Sequence, residues 1–443
     1  MNAQKLAKLT ALGLSQPIAV VGMGVSGQAV LQALLSAGYE AKGVDEKRST
    51  QSILSLNLDV AGALAEFKTL IVSPGVDRRR QALISVAKEV AILNDVELFA
   101  RLVDKPVVAV TGSNGKSTVV TLLYEALGAL GYKAVLCGNI GRSVIEAFFS
   151  DEAVDYYVLE LSSYQLELCP SLSPLVGVIV NITPDHLDRY EDFSAYAEAK
   201  GNLARQAQHL VLNAEDAYCV ALSKTLDKPI EWFSLQKTSQ GGGVHEGMLL
   251  VEGEEILPVV DLALKGKHNY ANVLCVLLSL RALGLSFAEA LGAIGTFAGL
   301  AHRMQQVATI GGVLWIDDSK ATNVGATVAA LAGVSAPLIL ILGGAGKGQD
   351  FSELAQAVVE AKVKQVLLIG VDNCALQEAL KEKAVAFVVC QTLDVAVARA
   401  RDYAQAGDWV LLSPACASLD QFKNYQQRGL YFAQLAQNGA VDV

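Results

Sequence analysis

The sequence has 443 residues, a formal net charge of −10, and hydrophobic residues at 52% of its positions. Apolar runs are too short to cross a membrane: the best, residues 273–280, ends at Arg281. The N-terminal stretch lacks the apolar segment of a signal peptide. Because the charge is negative and no basic block is present, a nucleic-acid groove is disfavoured. The length predicts about three domains.

The seven cysteines are scattered along the chain and form no CxxC pair. An odd, unclustered set is typical of reduced thiols. We therefore expect a cytoplasmic protein. With so little positive charge available, an anionic substrate would have to be held by helix N-termini, single lysines and metal ions.

The first strand–glycine–helix unit is IAVVGMGVSGQAVLQALLSAGYEAKGVDE. It predicts a strand over 18–21, a turn over 22–27, a helix closed by Gly38 and a second strand ending at Asp45. This spacing matches the dinucleotide-binding fingerprint. Nicotinamide binding and a generic Rossmann-like turn both remain open from this pattern alone.

The second unit carries VTGSNGKST at 110–118, after the apolar run PVVAV. The strict P-loop pattern would need a glycine at Val110, so the match is incomplete. A strand over 107–110, a helix over about 116–130 closed by Gly131, and the intact GKST ending nevertheless favour phosphate binding. Backbone amides from Gly112 to Ser117 would surround the anion. The alternative is a capped helix with a solvated lysine.

Acidic residues and a histidine follow the next two predicted strands. Glu160 ends the strand in YYVLEL, and His186 lies in NITPDHLDRY between Asp185 and Asp188. With the glycine loop they suggest a Mg²⁺–phosphate site. Lys200, in the predicted helix SAYAEAKGNLARQA, reads from its spacing as a solvated lysine. Farther on, the triple glycine at 241–243 predicts an exposed turn of a hairpin region.

A third set of short apolar runs begins near residue 312 and predicts another parallel sheet. DDSKATN (317–323) and GGAGK (343–347) each follow a strand of this set. Two such loops with a lysine each favour an acidic ligand at one sheet edge, and Asn323 should cap the next helix. We place domains at 1–95, 96–299 and 300–443.

Taken together, these motifs resemble the ATP-dependent Mur ligases of peptidoglycan synthesis, a family that includes folylpolyglutamate synthases. The family's loop TGxNGK[ST] matches 111–117, and ELSSYQLE, NITPDHLDRY, GxHNxxN at 266–272 and AHRM at 301–304 also match. DDSKATN and SPACASLDQFKNYQQRG (413–429) are similar to the members that add D-glutamate, and the DNPR motif of diaminopimelate-adding members is absent. The resemblance covers essentially the whole chain.

The resemblance implies three α/β domains: an N-terminal Rossmann-like domain that binds the UDP-substrate, a central ATPase and a C-terminal Rossmann-like domain that binds the amino acid. It implies that ATP is bound by Gly112, Ser113, Asn114, Gly115, Lys116, Ser117, Thr118, Asn269, Asn272, Arg303 and Asp318. It implies that the UDP-substrate is bound by Val25, Ser26, Asp45, Lys47, Ser73, Asn139, Gln165 and His186. It implies that D-glutamate is bound by Lys320, Thr322, Lys347, Ser418, Leu419 and Tyr425. Asp45-Glu46-Lys47 differs from the Asp-Thr-Arg stretch of these relatives.

The implied reaction transfers the γ-phosphoryl group of ATP to the alanyl carboxylate of UDP-N-acetylmuramoyl-L-alanine. The amine of D-glutamate then attacks this acyl phosphate, and a tetrahedral intermediate collapses to the amide. Lys116, Glu160, His186 and Lys200 are the implied catalytic residues. Two Mg²⁺ ions are implied, with Ser117 and Glu160 serving one, His186 the other, and a carbamylated Lys200 supporting them. The site should assemble when the domains close.

The implied setting is cytoplasmic peptidoglycan precursor synthesis, and hence cell wall biogenesis, cell shape and cell division. Only small-molecule partners are expected, without nucleic acid or membrane, and the chain should be a monomer. A ligase of the same family that adds another amino acid is the first alternative. An NAD(P)-dependent dehydrogenase using GMGVSG, or a P-loop switch without synthetic chemistry, are alternatives of other classes.

Overall fold

The computed structural model describes residues 2–186, 189–334, 336–346, 348–371 and 373–438. The chain divides into two compact units. The first comprises Met1–Ile182, Ser194–Leu262 and Asn269–Thr296; the second comprises Thr183–Phe193, Ala263–His268 and Phe297–Val443. Three separate sheets confirm the predicted three-part α/β fold, whereas the boundaries placed after residues 95 and 299 stay a prediction.

The first sheet is entirely parallel, in the order β3-β2-β1-β4-β5. Its strands are β1 (Ile18–Val21), β2 (Ala41–Asp45), β3 (Ile53–Ser55), β4 (Thr69–Val72) and β5 (Ala91–Leu93). β1 and β4 are buried at every position, as parallel strands covered on both faces must be. The strand, turn and second strand predicted over 18–45 are confirmed.

The second sheet has the order β14-β13-β12-β11-β10-β9-β6-β8-β7. Its strands are β6 (Val107–Thr111), β7 (Ala134–Gly138), β8 (Tyr156–Glu160), β9 (Val176–Ile179), β10 (His209–Asn213), β11 (Ile230–Phe233), β12 (Gly242–His245), β13 (Met248–Val251) and β14 (Glu254–Pro258). The strands from β6 to β12 pair in parallel, and β12, β13 and β14 form an antiparallel meander.

The meander confirms the predicted hairpin region, but the prediction of an exposed turn at the triple glycine is wrong. Gly241, Gly242 and Gly243 are buried, and the last two lie inside β12. A Cβ at Gly241 would lie 2.1 Å from the Trp232 carbonyl oxygen. Glycine is therefore needed because the two backbones approach too closely to leave room for a side chain.

The third sheet has the order β15-β16-β20-β17-β18-β19, parallel except for the antiparallel edge strand β15. Its strands are β15 (Gln305–Ile310), β16 (Val313–Asp317), β17 (Leu338–Gly343), β18 (Gln365–Ile369), β19 (Phe387–Gln391) and β20 (Trp409–Leu412). The last strand inserts between β16 and β17, so the loops that follow these three strands lie along one sheet edge, where open α/β sheets bind ligands.

The helices connect the strands. They are α1 (Ala3–Ala11), α2 (Val25–Ser36), α3 (Gln81–Val86), α4 (Asp95–Ala100), α5 (Lys116–Ala129), α6 (Val144–Phe149), α7 (Ser163–Leu166), α8 (Phe193–Gln206), α9 (Ala217–Ser223), α10 (Lys267–Ala282), α11 (Leu291–Thr296), α12 (Val324–Leu331), α13 (Ser352–Glu360), α14 (Cys374–Glu382), α15 (Leu393–Tyr403) and α16 (Tyr425–Gln437). In the described part of the chain, no helix combines the length and apolarity needed to span a bilayer.

A continuous apolar core joins the first two sheets. It includes Leu34 of α2, Phe99 of α4 and Tyr157 of β8. The rings of Phe99 and Tyr157 meet edge to face at 5.1 Å, a geometry favoured by aromatic quadrupoles. This shared core explains why the two sheets fold as one compact unit.

Candidate active site

The glycine loop joins β6 to α5, as the sequence predicted. Gly112 and Gly115 have φ angles of +147° and +83°, which residues other than glycine rarely adopt. A Cβ at Gly115 would lie 2.4 Å from Oδ1 of Asn272. Asn272 is buried and donates from Nδ2 to Asn269 Oδ1 at 3.0 Å. Asn272, implied for ATP, therefore packs against the loop and is hydrogen-bonded to Asn269, the other asparagine implied for ATP.

Asn181, just beyond β9, holds the loop in place, although the sequence motifs did not single it out. Its carbonyl accepts from the Ser113 amide at 2.9 Å. Its side chain accepts from the Asn114 amide at 2.9 Å and donates to the Asn114 carbonyl at 3.1 Å. A side-chain amide is suited to this double role because it carries a donor and an acceptor.

Lys116 opens α5, and its ammonium lies over the loop. Nζ donates to the carbonyls of Gly112 at 2.7 Å and Ser113 at 2.8 Å. Ser117 and Thr118 follow in the first helical turn and are buried. A positively charged nitrogen beside a helix N-terminus is an arrangement that binds phosphate.

The interpretation of Lys200 as a solvated lysine is wrong, since only 2% of the residue is exposed. Its Nζ donates to the Gly112 carbonyl at 2.8 Å and lies 4.8 Å from the centre of the Tyr196 ring. The Tyr196 hydroxyl lies 2.9 Å from that of Ser113. Helical spacing does not reveal this burial because the partner of Lys200 is a loop carbonyl 88 residues away in sequence.

Glu160 ends β8 and is 1% exposed. Val110 and Glu160 are register partners on adjacent strands, so the carboxylate belongs to the sheet edge from which the glycine loop leaves. Its Oε1 accepts from Asn139 Nδ2 at 2.7 Å. The structure thus pairs Glu160 with Asn139, which the sequence implied for a different ligand.

These residues fit a magnesium ion that also uses phosphate oxygens. Mg²⁺ is usually bound by one or two carboxylates together with phosphate and water, and Glu160 and Ser117 supply hard oxygen atoms of that kind. Within the residues that the structure describes, no group of three or more His, Cys, Asp or Glu side chains is placed to hold a metal.

The implied UDP-substrate residues lie at the carboxyl edge of the first sheet. Asp45 accepts from the amides of Lys47 at 2.9 Å and Met23 at 3.3 Å. The Lys47 hydrogen bond is the main cause that lowers the pKa of Asp45. The Ser73 hydroxyl donates to the Gly22 carbonyl at 2.7 Å. Val25, at the start of α2, is 72% exposed and open to a ligand.

Asn94, just before α4, and Asp95, its first residue, connect the carboxyl edge of the first sheet with the second sheet. Asn94 caps α4 and donates from Nδ2 to the Gln165 carbonyl at 2.7 Å. Ser26 hydrogen-bonds the buried carboxyl of Asp95, whose pKa is raised by burial. Ser26 and Gln165, both implied for the UDP-substrate, are thus held by consecutive residues that no sequence motif singled out.

In the second unit, Asp318 lies just beyond β16. It accepts from the Ser413 hydroxyl at 2.7 Å and from the Met304 amide at 3.2 Å. Burial raises the pKa of Asp318 to about 7. Asn323 accepts from the Ala326 amide at 2.8 Å, which confirms the predicted helix cap, and also donates to Asp185 Oδ2 at 3.0 Å.

Lys320 and Tyr425, both implied for D-glutamate, are in contact. The Lys320 Nζ lies 4.0 Å from the centre of the Tyr425 ring, a cation–π contact. His302 Nδ1 lies 2.6 Å from Asp317 Oδ2, and the His302 carbonyl accepts from the Lys320 amide at 3.1 Å. Both residues lie in quoted motifs, AHRM and DDSKATN, but the sequence does not show that these two segments are in contact.

The remaining implied residues are placed as follows. Ser418 is buried and Leu419 is 71% exposed, whereas Thr322 and Arg303 are half-buried. His186 has a φ of +58°, and its Nε2 lies 3.6 Å from Asp185 Oδ2. Asp188 and Lys347 lie outside the described residues. The first unit thus holds the glycine loop, Glu160, Lys200 and the UDP-substrate edge, and the second holds His186, Arg303 and the implied amino-acid residues.

Two family models match the chain: the Mur ligase middle domain over residues 110–280 and the Mur ligase glutamate ligase domain over residues 302–416. Among curated relatives, UDP-N-acetylmuramoylalanine--D-glutamate ligases of Methylobacillus flagellatus and Pseudomonas aeruginosa are each 41% identical to it. Each alignment covers 94% of this chain and 96% of the relative.

Solved structures show the same fold. UDP-N-acetylmuramate-alanine ligase MurC from Thermotoga maritima aligns with a TM-score of 0.62 at 19% identity, over 96% of this chain and 100% of that one. MurF from Acinetobacter baumannii aligns with a TM-score of 0.64 at 16% identity, over 98% of both chains. From the family models and the identity to full-length relatives, this chain belongs to the Mur ligase family.

Proposed function

We propose that this protein is an ATP-dependent ligase that forms an amide bond between UDP-N-acetylmuramoyl-L-alanine and D-glutamate, releasing ADP and phosphate. The observation that carries the proposal is the 41% identity, over 94% of the chain, to relatives named for that reaction. Two structural features support the proposal. One is the glycine loop with Lys116, and the other is the edge of another sheet that carries Lys320 and Ser418.

The chemistry needs an activated acid because attack of an amine on a carboxylate would have to expel an oxide. Phosphorylation of the alanyl carboxylate supplies phosphate as the leaving group. The first step brings two anions together, so its barrier depends on positive charge and fixed dipoles around the transferred group. Lys116 and the amides at the start of α5 are proposed to bind the β- and γ-phosphates.

Magnesium is proposed as the second source of positive charge, at two sites. Ser117 and Glu160 would hold one ion and His186 the other. When bound, the metal screens the phosphate charge and polarises the transferred phosphoryl group. The bond from Asn139 to Glu160 Oε1 fixes the carboxylate orientation, which supports this role because ligand carboxylates are usually held by such neighbours.

Lys200 is proposed to be carbamylated. The ammonium first loses one proton, and addition of CO₂ to the free amine releases a second, so that a +1 group becomes a −1 carbamate that can orient metal ligands. The carbamate nitrogen keeps one N–H, so its hydrogen bond to the Gly112 carbonyl can persist. Its place against the loop, and not on an exposed helix face, supports a role beyond solubility.

The proposal extends to the amino-acid site and the setting. Lys320 and Ser418 would bind the carboxylates of D-glutamate, with Thr322, Leu419 and Tyr425 around them. Lys347 is proposed as a further ligand. The reaction would take place in the cytoplasm with a monomeric enzyme, and light scattering after size exclusion checks the oligomeric state.

The test is phosphate release by the purified protein with ATP, Mg²⁺ and UDP-N-acetylmuramoyl-L-alanine across a panel of amino acids. D-glutamate should support the fastest release, and omission of either substrate should abolish it. Faster release with L-alanine, L-lysine or meso-diaminopimelate would replace the substrate assignment with another member of the family. NAD(P)H binding, followed by its fluorescence, addresses the dehydrogenase alternative in the same preparation.

A further inference from the structure

Arg428 is a buried cation for which the proposed reaction has no role. It lies in the first turn of α16 and is 1% exposed. Burial lowers its pKa to about 10. Arginine is rarely buried so completely, because removing a charge from water is costly, and the nearby carboxylates of Asp317, Asp318 and Asp420 offset only part of that cost. Such a residue calls for a reason beyond filling space.

The guanidinium binds two loops through oxygen atoms that are neutral. Its Nε donates to the Ser319 hydroxyl and its Nη2 to the Ser319 carbonyl, both at 2.9 Å. Nη1 and Nη2 each donate to the Cys416 carbonyl at 3.1 Å. In the described part of the chain, none of these hydrogen-bond partners is a carboxylate. The planar group thus links two backbone segments.

Those segments follow the neighbouring strands β16 and β20, whose residues pair from Leu314 with Trp409 to Asp317 with Leu412. Ser319 lies between Asp318 and Lys320, and Cys416 lies two residues before Ser418. Both loops therefore carry residues proposed for substrate binding. The Ser319 hydroxyl also donates to the Tyr425 carbonyl at 2.9 Å, which adds the start of α16 to the same connection.

Gly429, the residue after Arg428, packs against loop 317–320 from another direction. A Cβ at Gly429 would lie 2.3 Å from His302 Nδ1 and 2.4 Å from Asp317 Oδ2. Only glycine allows α16 to approach this pair so closely. Asp317 in turn accepts from the Ser319 amide at 2.8 Å. Arg428 therefore contacts the Ser319 hydroxyl, and Gly429 lies beside the Asp317 carboxylate, so that α16 holds loop 317–320 at two points.

We propose that Arg428 is a positioning residue that fixes the spacing between loop 317–320 and loop 416–419, and thereby the distance between Lys320 and Ser418. This rests on the proposed function, in which those two residues bind D-glutamate. Arginine suits the task because its rigid fork directs several donors at once, whereas a lysine ammonium is a point charge on a flexible stem. A loosened pair of loops should weaken binding of the amino acid most and leave the UDP-substrate unaffected. ATP should be affected less than the amino acid, through Asp318 of the same loop.

The test compares Arg428→Lys with wild type in steady-state assays of phosphate release. We expect KM for D-glutamate to rise about tenfold or more, since misplacement by an ångström is costly in a preorganised site. KM for the UDP-substrate should stay within about twofold, and KM for ATP should rise less than KM for D-glutamate, because Asp318 is the implied ATP residue of the same loop. Arg399→Lys is the matched control because Arg399 lies in the same unit with its side chain 57% exposed, and it should leave all three KM values unchanged.

Guanidinium rescue separates positioning from simple structural support. In Arg428→Ala, millimolar guanidinium chloride should lower KM for D-glutamate towards the wild-type value, while the same concentration of sodium chloride should not. If Arg428 variants fail to fold, Ser319→Ala decides the matter, because it removes only the hydroxyl that joins Arg428 to Tyr425. It should raise KM for D-glutamate several-fold, raise KM for ATP less, and leave KM for the UDP-substrate unchanged.

An unchanged KM for D-glutamate in a folded Arg428→Lys or Ser319→Ala protein would overturn the inference, as would an equal rise in all three KM values. The wild-type amino-acid panel is measured first. If another amino acid is the better substrate, the proposed function fails, and the same comparison made with that amino acid still decides the role of Arg428.

Discussion

The ammonium nitrogen of Lys200 lies 2.8 Å from the carbonyl oxygen of Gly112. This contact attaches α8 to the glycine loop between β6 and α5. Any chemical change at Lys200 Nζ therefore takes place against the loop that is proposed to hold the phosphates. The first prediction follows from this contact.

Lys200→Ala should fold and lose activity on the order of 100-fold or more, because a group that orients metal ligands is removed. If the working form is a carbamate, added acetate or another small carboxylate should restore part of the rate. Phosphate release and circular dichroism are the measurements. Lys237→Ala serves as the control, because Lys237 is exposed and lies in the connection between β11 and β12. A folded Lys200→Ala protein with wild-type rates would exclude the carbamate role.

A second prediction concerns Gly115. An alanine there would need a φ near +83° and would approach Asn272 Oδ1 to 2.4 Å. Gly115→Ala should raise KM for ATP by about tenfold or more, since such strain costs roughly 1–3 kcal/mol. Gly128→Ala is the matched control on the same helix, because nothing lies within 4 Å of the added Cβ. It should stabilise the protein by about 1 kcal/mol without changing KM.

The third prediction separates loop support from general stability. Asn181→Ala removes both side-chain bonds to Asn114 and should raise KM for ATP several-fold. Asn213→Ala likewise removes two side-chain hydrogen bonds, from Nδ2 to the Val180 carbonyl at 3.2 Å and from the Glu215 amide to Oδ1 at 2.9 Å, but none to the loop. It should lower the free energy of unfolding by about 1 kcal/mol and leave KM for ATP unchanged. Equal effects of the two variants on KM would contradict a specific role for Asn181.

The fourth prediction is a pH dependence of stability from Asp318. Burial raises its pKa from 3.8 to about 7 in the folded protein. Between these values the folded state binds more protons than the unfolded state, so this group favours folding at low pH. Its contribution falls as the pH rises through about 7.

Asp318→Asn removes that titration. The free energy of unfolding of wild type, measured relative to this variant by urea titration, should therefore decrease from pH 5 to pH 8. A tenfold difference in proton affinity between the folded and unfolded states corresponds to about 1.4 kcal/mol. A free-energy difference that stays constant over this range, or that increases with pH, would contradict a raised pKa.

Local patterns predicted the elements that depend on neighbours in sequence. The apolar run before TGSNGKST forms β6, and Gly131, with φ +83°, follows the end of α5 as expected. Asn323 caps α12 because capping needs only an acceptor three residues before a helical amide. These features follow from a few adjacent residues.

Contacts between distant segments were not predictable in this way. Lys200 donates a hydrogen bond to a carbonyl 88 residues earlier, and Arg428 donates one to Ser319, 109 residues earlier. Helical spacing alone makes Lys200 look exposed. The triple glycine was misread for a related reason, since its need for glycine comes from the backbone of Trp232. Family resemblance implied a role for Lys200 but none for Arg428 or Asn181, although both lie within matched motifs.

The central claim is that a phosphoryl group passes from ATP to the substrate carboxylate before the amide forms. The most direct measurement uses UDP-N-acetylmuramoyl-L-alanine labelled with ¹⁸O in its alanyl carboxylate, together with ATP, Mg²⁺ and D-glutamate. Mass spectrometry of the released phosphate should find one ¹⁸O atom, because the acyl-phosphate oxygen leaves with the phosphate. Amide formation that releases only unlabelled phosphate would contradict the account.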